Sequence, residues 1–362
     1  MSNSNNQKEF NIAVLPGDGV GPEVVKEAIK VLNKVSEKYQ IRFNYQEGLI
    51  GAQAIYKYNS ALPEETKEIV ENADAILFGA VGDPAFDKDP NAKVRPEQGI
   101  LQLRKLLNLY ANIRPIKTYK ELYSKSPLKE EIINGVDFVV IRELTGGIYF
   151  GEPRGRTENS KKAFDTCIYS DEEITRVGRI AFEMARKRRN KVTVVDKSNV
   201  LATSRLWKEV INNLHKEYSD VNLEFLYVDN AAMQIIRRPA DFDVILTENM
   251  FGDILTDEAS VITGSIGMLP SSSIGEKDGK RRGLFEPIHG SYPEGAGKNI
   301  ANPIGTILSA ADMLDFLGLD EASNAIRNAV DKTLSDGIFT MDIANENYMS
   351  CSEMGDAITS RI

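Results

Sequence analysis

The sequence predicts an α/β protein with enough residues for two domains, because segments that read as buried strands are followed by segments of helical periodicity. The first of them, NIAVLPGDGVGPEVVKEAIKVL from residue 11, has the order strand, glycine turn and helix. Two more apolar runs, AILFGAVG from residue 75 and DFDVILTE from residue 241, are typical of strands inside a sheet. The 362 residues, 42% of them hydrophobic, can bury a large core.

Composition narrows the classes of function. The formal net charge of −9 leaves no basic field for a nucleic acid or an anionic membrane, and the basic run at 185–191 reads as the end of an amphipathic helix. Two cysteines (167 and 351) and two histidines (215 and 289) are too few and too separated for a disulfide framework or a zinc site. The N-terminus lacks a signal peptide's apolar core, and no run approaches the ~20 apolar residues of a membrane span. We expect a cytoplasmic protein without nucleic-acid or membrane partners.

The glycine turn near the N-terminus fails the test for a dinucleotide fingerprint. Gly17 and Gly19 match G-x-G, but Pro22 stands where the third glycine belongs, and no strand ending in an acid follows about twenty residues later. Pro22 instead suits the first turn of a helix whose apolar stripe begins at Val24. We interpret the segment as a close backbone turn that opens an α/β domain, with a true Rossmann site as the alternative.

One face of the helix predicted within PEQGILQLRKLLNLYANIRP combines polar and apolar groups. Glu97, Ile100 with Leu101, and Arg104 recur at helical spacing. One interpretation is a pocket for a ligand with an acid and a branched alkyl group. The other is an ordinary helix that buries both aliphatic side chains while its arginine reaches solvent. Guanidinium groups bind carboxylates at two points, and further arginines near predicted strand ends are Arg114 and Arg142.

The stretch NMFGDILTDEAS, residues 249–260, places Asp253 and Asp257 one helical turn apart. Such carboxylates repel each other, and the sequence has no lysine or arginine between Pro239 and Glu276. The counter-charge must therefore come from a distant part of the chain or from a hard cation such as Mg²⁺ or Mn²⁺. The alternative is that both acids belong to a first helical turn, where the macrodipole favours them.

Two more charged residues follow predicted strands. Lys197 comes directly after KVTVVD and is either a solvated lysine or a base whose pKa is tuned by an acidic pocket. Asp229 stands where the strand LEFLYVDN is predicted to end, before a helix. It is a third candidate carboxylate.

The segment FEPIHGSYPEGAGKNIANP, residues 285–303, is long for a loop without a helical or strand pattern, which favours a functional role over an ordinary surface loop. It is not a P-loop, because the spacing of its glycines and Lys298 is wrong. Small residues let the backbone approach a ligand, Glu294 can accept hydrogen bonds from ribose hydroxyls, and His289 or Asn302 can contact an adenine. The candidate cofactor-binding residues are His289, Gly290, Ser291, Glu294, Gly295 and Asn302.

These motifs together resemble the β-decarboxylating hydroxyacid dehydrogenases, the isocitrate/isopropylmalate dehydrogenase family, over nearly the whole chain. PGDGVGPEV, RPEQGILQLRKLLNLYANIRP, IRELTGGIYFG, VDKSNVL, YVDNAAMQ, NMFGDILTDEAS and EPIHGSYPEGAGKNIANP occur in the order of that family. The resemblance implies a non-Rossmann α/β fold of two domains with mixed sheets flanked by helices. It also implies a discontinuous cofactor-binding domain, 1–109 with 264–362, and a dimerisation and metal/substrate domain, 110–263, with a protruding arm near 151–169.

The resemblance also implies a reaction and its residues. The expected reaction is the NAD-dependent oxidative decarboxylation of 3-isopropylmalate in leucine biosynthesis, by a homodimer with shared active sites. Mg²⁺ or Mn²⁺ would be held by Asp253 and Asp257 with Asp229 of the partner subunit. Lys197 of the partner subunit would be the base and Tyr149 the proton donor. Residues implied in substrate binding are Glu97, Ile100, Leu101, Arg104, Arg114, Arg142 and Asp229.

One departure concerns the cofactor. Many relatives have Asp-Ile after an HGSAP turn, whereas this chain has Glu294-Gly295 after HGSYP. A carboxylate still suits the free ribose of NAD and repels the extra phosphate of NADP, so we expect NAD preference. Three alternatives stay open: a related enzyme acting on isocitrate, homoisocitrate or tartrate, a silent regulatory subunit, and a Mg²⁺-dependent phosphoryl-transfer enzyme.

Overall fold

The computed structural model of the protein describes residues 8–88, 92–157 and 161–362. Its strands are β1 (Glu9–Gly17), β2 (Arg42–Glu47), β3 (Ala75–Ala80), β4 (Ala111–Lys117), β5 (Asp137–Glu143), β6 (Gly151–Arg156), β7 (Ala163–Thr166), β8 (Lys191–Asp196), β9 (Asn222–Tyr227), β10 (Val244–Thr247), β11 (Pro270–Lys277) and β12 (Lys280–Pro287). Its α-helices are α1 (Gly21–Tyr39), α2 (Ala52–Tyr58), α3 (Glu64–Asn72), α4 (Pro84–Asp87), α5 (Glu97–Leu106), α6 (Glu130–Ile133), α7 (Asp171–Arg186), α8 (Ala202–His215), α9 (Val228–Arg237), α10 (Asn249–Ser260), α11 (Ile304–Phe316), α12 (Asp320–Ser335) and α13 (Cys351–Thr359).

The chain divides into two compact units, and the first consists of Met1–Leu107 with Ser265–Ile362. Its strands lie in the order β2-β1-β3-β12-β11. Strand β1 is parallel to β2 and β3, β3 is parallel to β12, and β11 and β12 form an antiparallel hairpin. Helices α1 and α11 pack on the sheet, α12 packs on α11, and α13 packs on α1. Every residue of β3 is buried, as its continuous apolar run predicts for a central strand.

Helix α1 follows directly from its sequence. Pro22 lies in its first turn, where a missing N–H removes no helical hydrogen bond, and Lys38 lies in its last turn. The apolar stripe that starts at Val24 is buried through Val35. The helix ends at Gln40, which adopts the left-handed conformation.

The second unit consists of Asn108–Gly264. Its strands lie in the order β4-β5-β10-β8-β9, with β4 antiparallel to β5 and the other pairs parallel. Helices α7 and α10 contact β5, and α8 packs on α7. Strands β6 and β7 form a separate antiparallel hairpin at the position of the expected arm. Residues 158–160 of that segment lie outside the described residues.

The predicted fold class is confirmed, since both units are mixed sheets flanked by helices. Which unit binds the cofactor and which one dimerises stay predictions. Among the helices of the described residues, none combines the length and the apolar character needed to cross a membrane.

Two local predictions need correction. Asp229 does not end a strand, because β9 ends at Tyr227 and Asp229 lies in the first turn of α9. An acid is favoured in that first turn by the helix dipole. Conversely, Asp253 and Asp257 are not first-turn acids, since the first turn of α10 contains none. The macrodipole therefore does not account for this pair.

Candidate active site

In the first unit, Asp18 of the glycine turn is hydrogen-bonded to two other segments, the start of α2 and Gly82 after β3. This carboxylate is almost fully buried and accepts hydrogen bonds from the N–H groups of Ala52 (2.8 Å), Gln53 (3.0 Å) and Gly82 (3.0 Å). Burial raises the pKa of Asp18, and the three N–H donors oppose that shift. Gly17 has a φ of 71°, and a Cβ there would lie 1.9 Å from the carbonyl oxygen of Ala80, so only glycine fits. The turn is therefore a structural junction, which agrees with its interpretation as a close backbone turn.

The turn also contacts the candidate cofactor loop. The N–H of Val20 donates to the carbonyl of Ser291 at 2.8 Å. A Cβ added to Gly82 would lie 3.0 Å from Oγ of Ser291 and 3.5 Å from Oε1 of Glu97. Glu97 of α5 and Ser291 of the loop thus flank the same glycine. Within this unit the structure brings a predicted substrate residue beside a predicted cofactor residue.

Farther along the loop, Glu23 of α1 holds its backbone by accepting hydrogen bonds from the N–H groups of Gly297 and Asn299. Glu294 is exposed and free to meet a ligand from solvent. Asn302 is buried, its Oδ1 accepts from the N–H of Ile304 at 3.0 Å, and its Nδ2 donates to Asp342 at 3.1 Å. Because both ends of this amide are engaged, its side chain holds the loop in place.

His289 fits an adenine. Its Nδ1 lies 2.9 Å from the carbonyl oxygen of Gly290, an acceptor, so this nitrogen carries the proton. Burial lowers the pKa of His289 and keeps the ring neutral. Its Nε2 is buried and has no hydrogen-bond partner in the described part of the chain. A bare acceptor of this kind matches the exocyclic amino group of an adenine, so the loop residues fit a nucleotide cofactor.

The face of α5 that contains Glu97, Ile100, Leu101 and Arg104 differs from that of an ordinary amphipathic helix. Ile100 is buried, but Leu101 is 46% exposed, although an ordinary amphipathic helix would have buried both. Arg104 forms an ion pair with Glu286 of β12 at 2.9 Å rather than extending into solvent. The face therefore presents Glu97 and Leu101 outward beside a guanidinium that is already oriented.

In the second unit, Arg142 at the end of β5 is held by α10. Its Nε and Nη2 donate to Oδ1 of Asn249 at 3.0 and 2.8 Å, and its Nη1 donates to Asp253. Tyr149 donates its hydroxyl to the other oxygen of Asp253 at 3.1 Å. Burial, followed by the charge of Asp253, raises the pKa of Tyr149, so this phenol keeps its proton at neutral pH.

The neighbouring carboxylate, Asp257, is more exposed. It lies 3.6 Å from Nη1 of Arg114, which donates to Thr256 at 2.7 Å. Two arginines from β4 and β5 thus supply the counter-charge that the local sequence lacks. The same arrangement fits a divalent cation: Asp253 and Asp257 offer hard oxygen donors on one helix face, and 37% and 73% of their side chains are exposed.

Lys197 and Asp229 form a separate pair. Nζ of Lys197 lies 2.9 Å from Oδ2 of Asp229, and this hydrogen bond is the main reason that the pKa of Asp229 is lowered. Within the described residues of the single chain, no three acids, histidines or cysteines come together as a metal site, so Asp229 does not complete the Asp253 and Asp257 pair in its own chain.

The sequence did not reveal the residues behind this cluster. Asn249 is almost fully buried, donates from Nδ2 to the carbonyl of Gly146 at 3.1 Å, and donates from its N–H to the hydroxyl of Tyr169 at 3.0 Å. It therefore fixes Arg142 through a neutral amide that leaves the guanidinium charge intact. Its position directly after a buried strand, at the start of the helix with both aspartates, was the available signal.

Comparison with known proteins now decides the family. A model described as isocitrate/isopropylmalate dehydrogenase matches residues 11–358. The chain belongs to this family. The predicted resemblance is therefore confirmed.

Relatives within the isocitrate/isopropylmalate dehydrogenase family include proteins named 3-isopropylmalate dehydrogenase. The one from Aquifex aeolicus is 54% identical over 98% of this chain and 96% of its own length. The one from Bacillus subtilis is 51% identical over 97% of this chain and 95% of its own.

Solved structures of the family share the fold. A beta-decarboxylating dehydrogenase from Thermococcus kodakarensis, in its apo form, is 37% identical with a TM-score of 0.80, covering 97% of this chain and 96% of that one. Isocitrate dehydrogenase from Methylococcus capsulatus is 31% identical with a TM-score of 0.85, covering 97% and 99%.

Proposed function

We propose that the protein catalyses the oxidative decarboxylation of (2R,3S)-3-isopropylmalate to 4-methyl-2-oxopentanoate and CO₂ with reduction of NAD⁺, in leucine biosynthesis. The observation that carries the substrate assignment is the exposed Leu101 beside Glu97 on α5, an apolar group suited to an isopropyl substituent. The name and the 51–54% identity of the relatives support the same substrate. Isocitrate has a carboxymethyl group in place of the isopropyl group, which an exposed leucine would not favour.

The substrate carries two carboxylates, and three arginines are available for them. Arg142 is held by Asn249 at two points, Arg114 by Thr256, and Arg104 by Glu286, so each guanidinium is oriented in advance. Because Arg114 and Arg142 only balance the charges of Asp253 and Asp257, this cluster needs a further positive charge to bind a dianion. Asp253 and Asp257, with Asp229 of the partner subunit, would hold a divalent cation, which would supply that charge and lower the pKa of the substrate hydroxyl.

The remaining steps are proton movements by this chain's residues. Lys197 of the partner subunit would take the proton of the substrate hydroxyl, and NAD⁺, when bound, would accept the hydride from the same carbon. The bond from C3 to its carboxylate then breaks, CO₂ leaves, and its electron pair forms an enolate. Tyr149, which keeps its proton at neutral pH, delivers a proton to C3. Lys197 takes up one proton and Tyr149 delivers one, so the overall reaction neither consumes nor releases a proton.

The proposal is tested by following NADH formation by the purified protein with Mg²⁺. 3-Isopropylmalate and isocitrate are offered separately, each with NAD⁺ and with NADP⁺, before and after addition of a chelator. We expect turnover of 3-isopropylmalate with NAD⁺ that the chelator abolishes. Turnover of isocitrate alone would contradict the substrate assignment, and the absence of any turnover would favour a silent regulatory subunit.

Cofactor choice depends on Glu294. Exchanging Glu294 for lysine replaces a charge that repels the extra phosphate of NADP with one that attracts it. We expect the ratio of kcat/KM for NAD⁺ over NADP⁺ to fall about tenfold or more, the change that roughly 1.4 kcal/mol produces. Glu68→Lys, an equal charge change at an exposed position of α3 in the same unit, should leave the ratio unchanged. If both variants keep the wild-type ratio, Glu294 does not face the ribose.

A further inference from the structure

Tyr292, within the candidate cofactor loop, combines two uncommon properties. Its backbone is left-handed, with φ 41° and ψ 65°, a conformation that aromatic residues rarely adopt. Its side chain nevertheless stays 47% exposed instead of entering the core. Strained backbone of this kind persists where the surrounding structure requires the side chain in one place.

Gly295 shows what fixes the ring. A Cβ at Gly295 would lie 2.4 Å from Cε1 and 2.5 Å from Cδ1 of Tyr292, far inside van der Waals contact. The φ of Gly295 lies outside the left-handed range, so the backbone itself does not demand glycine. The N–H of Gly295 also donates to the carbonyl of Tyr292 at 3.0 Å, which closes the turn. Glycine is therefore required at 295 because the Tyr292 ring occupies the space of its side chain.

An apolar side chain is absent at 295, and an aromatic ring supplied from 292 lies over the same backbone. We propose that the exposed ring of Tyr292 is the surface on which the adenine of the dinucleotide stacks, with Gly295 as the residue that permits this placement. This inference rests on the proposed function, because it assigns the adenosine half of the same cofactor.

The neighbouring groups agree with an adenosine at this place. Glu294 lies two residues after Tyr292 and is exposed, so it can accept hydrogen bonds from ribose hydroxyls. His289 on the same loop has a buried acceptor nitrogen that is unpartnered within the described residues, suited to the adenine amino group. The aromatic ring of Tyr292 adds a stacking contact with the face of the purine, which these two polar groups cannot make. Stacking needs no further hydrogen bonds to the base.

Calorimetric titration with two halves of the cofactor tests the proposal without turnover. ADP-ribose contains the adenine, and nicotinamide mononucleotide does not. Tyr292→Asn removes the ring but keeps a residue that tolerates the left-handed backbone, and Tyr292→Phe keeps the ring. We expect Tyr292→Asn to weaken ADP-ribose binding about tenfold, within the range of a lost base–aromatic stack, and Tyr292→Phe to stay within about twofold. Binding of nicotinamide mononucleotide should be unchanged in both.

Gly295→Ala provides an independent variant, because its Cβ displaces the ring while Tyr292 is retained. It should weaken ADP-ribose binding like Tyr292→Asn. If Tyr292→Asn and Gly295→Ala lower the melting temperature but bind ADP-ribose like the wild type, the ring only packs the loop and the inference is overturned. If the wild type itself binds no ADP-ribose, the assignment of a NAD site fails together with it. Equal weakening for both ligands would also overturn the stacking role.

Discussion

Exchange of Lys197 for methionine is expected to lower kcat for 3-isopropylmalate by about 10²–10⁴-fold, the usual contribution of a general base. Methionine has nearly the same length but cannot accept the hydroxyl proton. Nζ of Lys197 lies 2.9 Å from Oδ2 of Asp229, a proposed metal ligand. Steady-state kinetics at saturating substrate and cofactor measure the effect. Lys187→Met, an exposed lysine at the end of α7, is the matched control and should keep wild-type kcat.

The same variant tests whether two subunits share each site. Asp253→Asn should also be inactive, because it removes the charge of a proposed metal ligand and replaces one of the two oxygens that accept from Arg142 and Tyr149 with an NH₂ donor. Co-expression of Lys197→Met with Asp253→Asn chains should restore about a quarter of the wild-type activity, since about half of the dimers are mixed and each mixed dimer holds one intact site. Pairs of variants that lie on the same side of the site, such as Asp253→Asn with Asp257→Asn, should restore none. No recovery in the first mixture would show that Lys197 acts within its own chain.

The acidic stretch shows how far sequence reasoning reaches. Spacing predicted a helix with Asp253 and Asp257 on one face, and the absence of local cations predicted a distant or ionic counter-charge. Both features follow from periodicity and charge, which are local properties. The partners, Arg114 on β4 and Arg142 on β5, depend on strand pairing across the chain, which a single sequence does not encode in its spacing. The same limit hid Asn249, whose side chain and N–H bond to Arg142, Gly146 and Tyr169, all distant in sequence.

The exposure of individual side chains could not be predicted from the sequence either. Ile100 and Leu101 are neighbours of similar character, yet one is buried and the other is 46% exposed. The helical pattern predicts an apolar face but not where its edge falls, because that depends on which elements pack against it. Likewise, YVDN reads as the end of a strand, but Asp229 lies in the first turn of α9, where the helix dipole favours an acid.

Two buried glutamates, Glu143 and Glu248, are the sequence neighbours of Arg142 and Asn249. Glu143 is fully buried and accepts from the N–H groups of Thr145 and Gly146 at 3.0 and 2.7 Å. Glu248, at the start of α10, is 4% exposed, and its Oε2 has no hydrogen-bond partner within the described residues. Burial, followed by the charge of Glu143, raises the pKa of Glu248 to about 7. Burial raises the pKa of the nearby Cys167, and burial with the charge of Glu143 raises that of Tyr169; the charge of Glu248 adds to both shifts.

Glu248 should therefore make the protein less stable as the pH rises. Its carboxyl group ionises near 4.5 when unfolded, so below that pH both states are protonated and nothing is lost. Between 4.5 and about 7 the unfolded state releases the proton while the folded state keeps it, and stability falls by about 1.4 kcal/mol per pH unit. Above about 7 both states are ionised and the loss is complete, at about 3 kcal/mol.

Glu248→Gln removes this proton linkage, because an amide stays neutral at every pH. We expect the difference in free energy of unfolding between Glu248→Gln and the wild type to grow in favour of the variant by about 2–3 kcal/mol from pH 5 to pH 8. Urea titrations at both pH values measure it, and comparing the two proteins cancels the groups that titrate in both. Glu209→Gln, at an exposed position of α8, should show no such growth. If Glu248→Gln and the wild type keep a constant difference, Glu248 is already ionised in the folded protein, and a cation or a reoriented donor must then face its free oxygen.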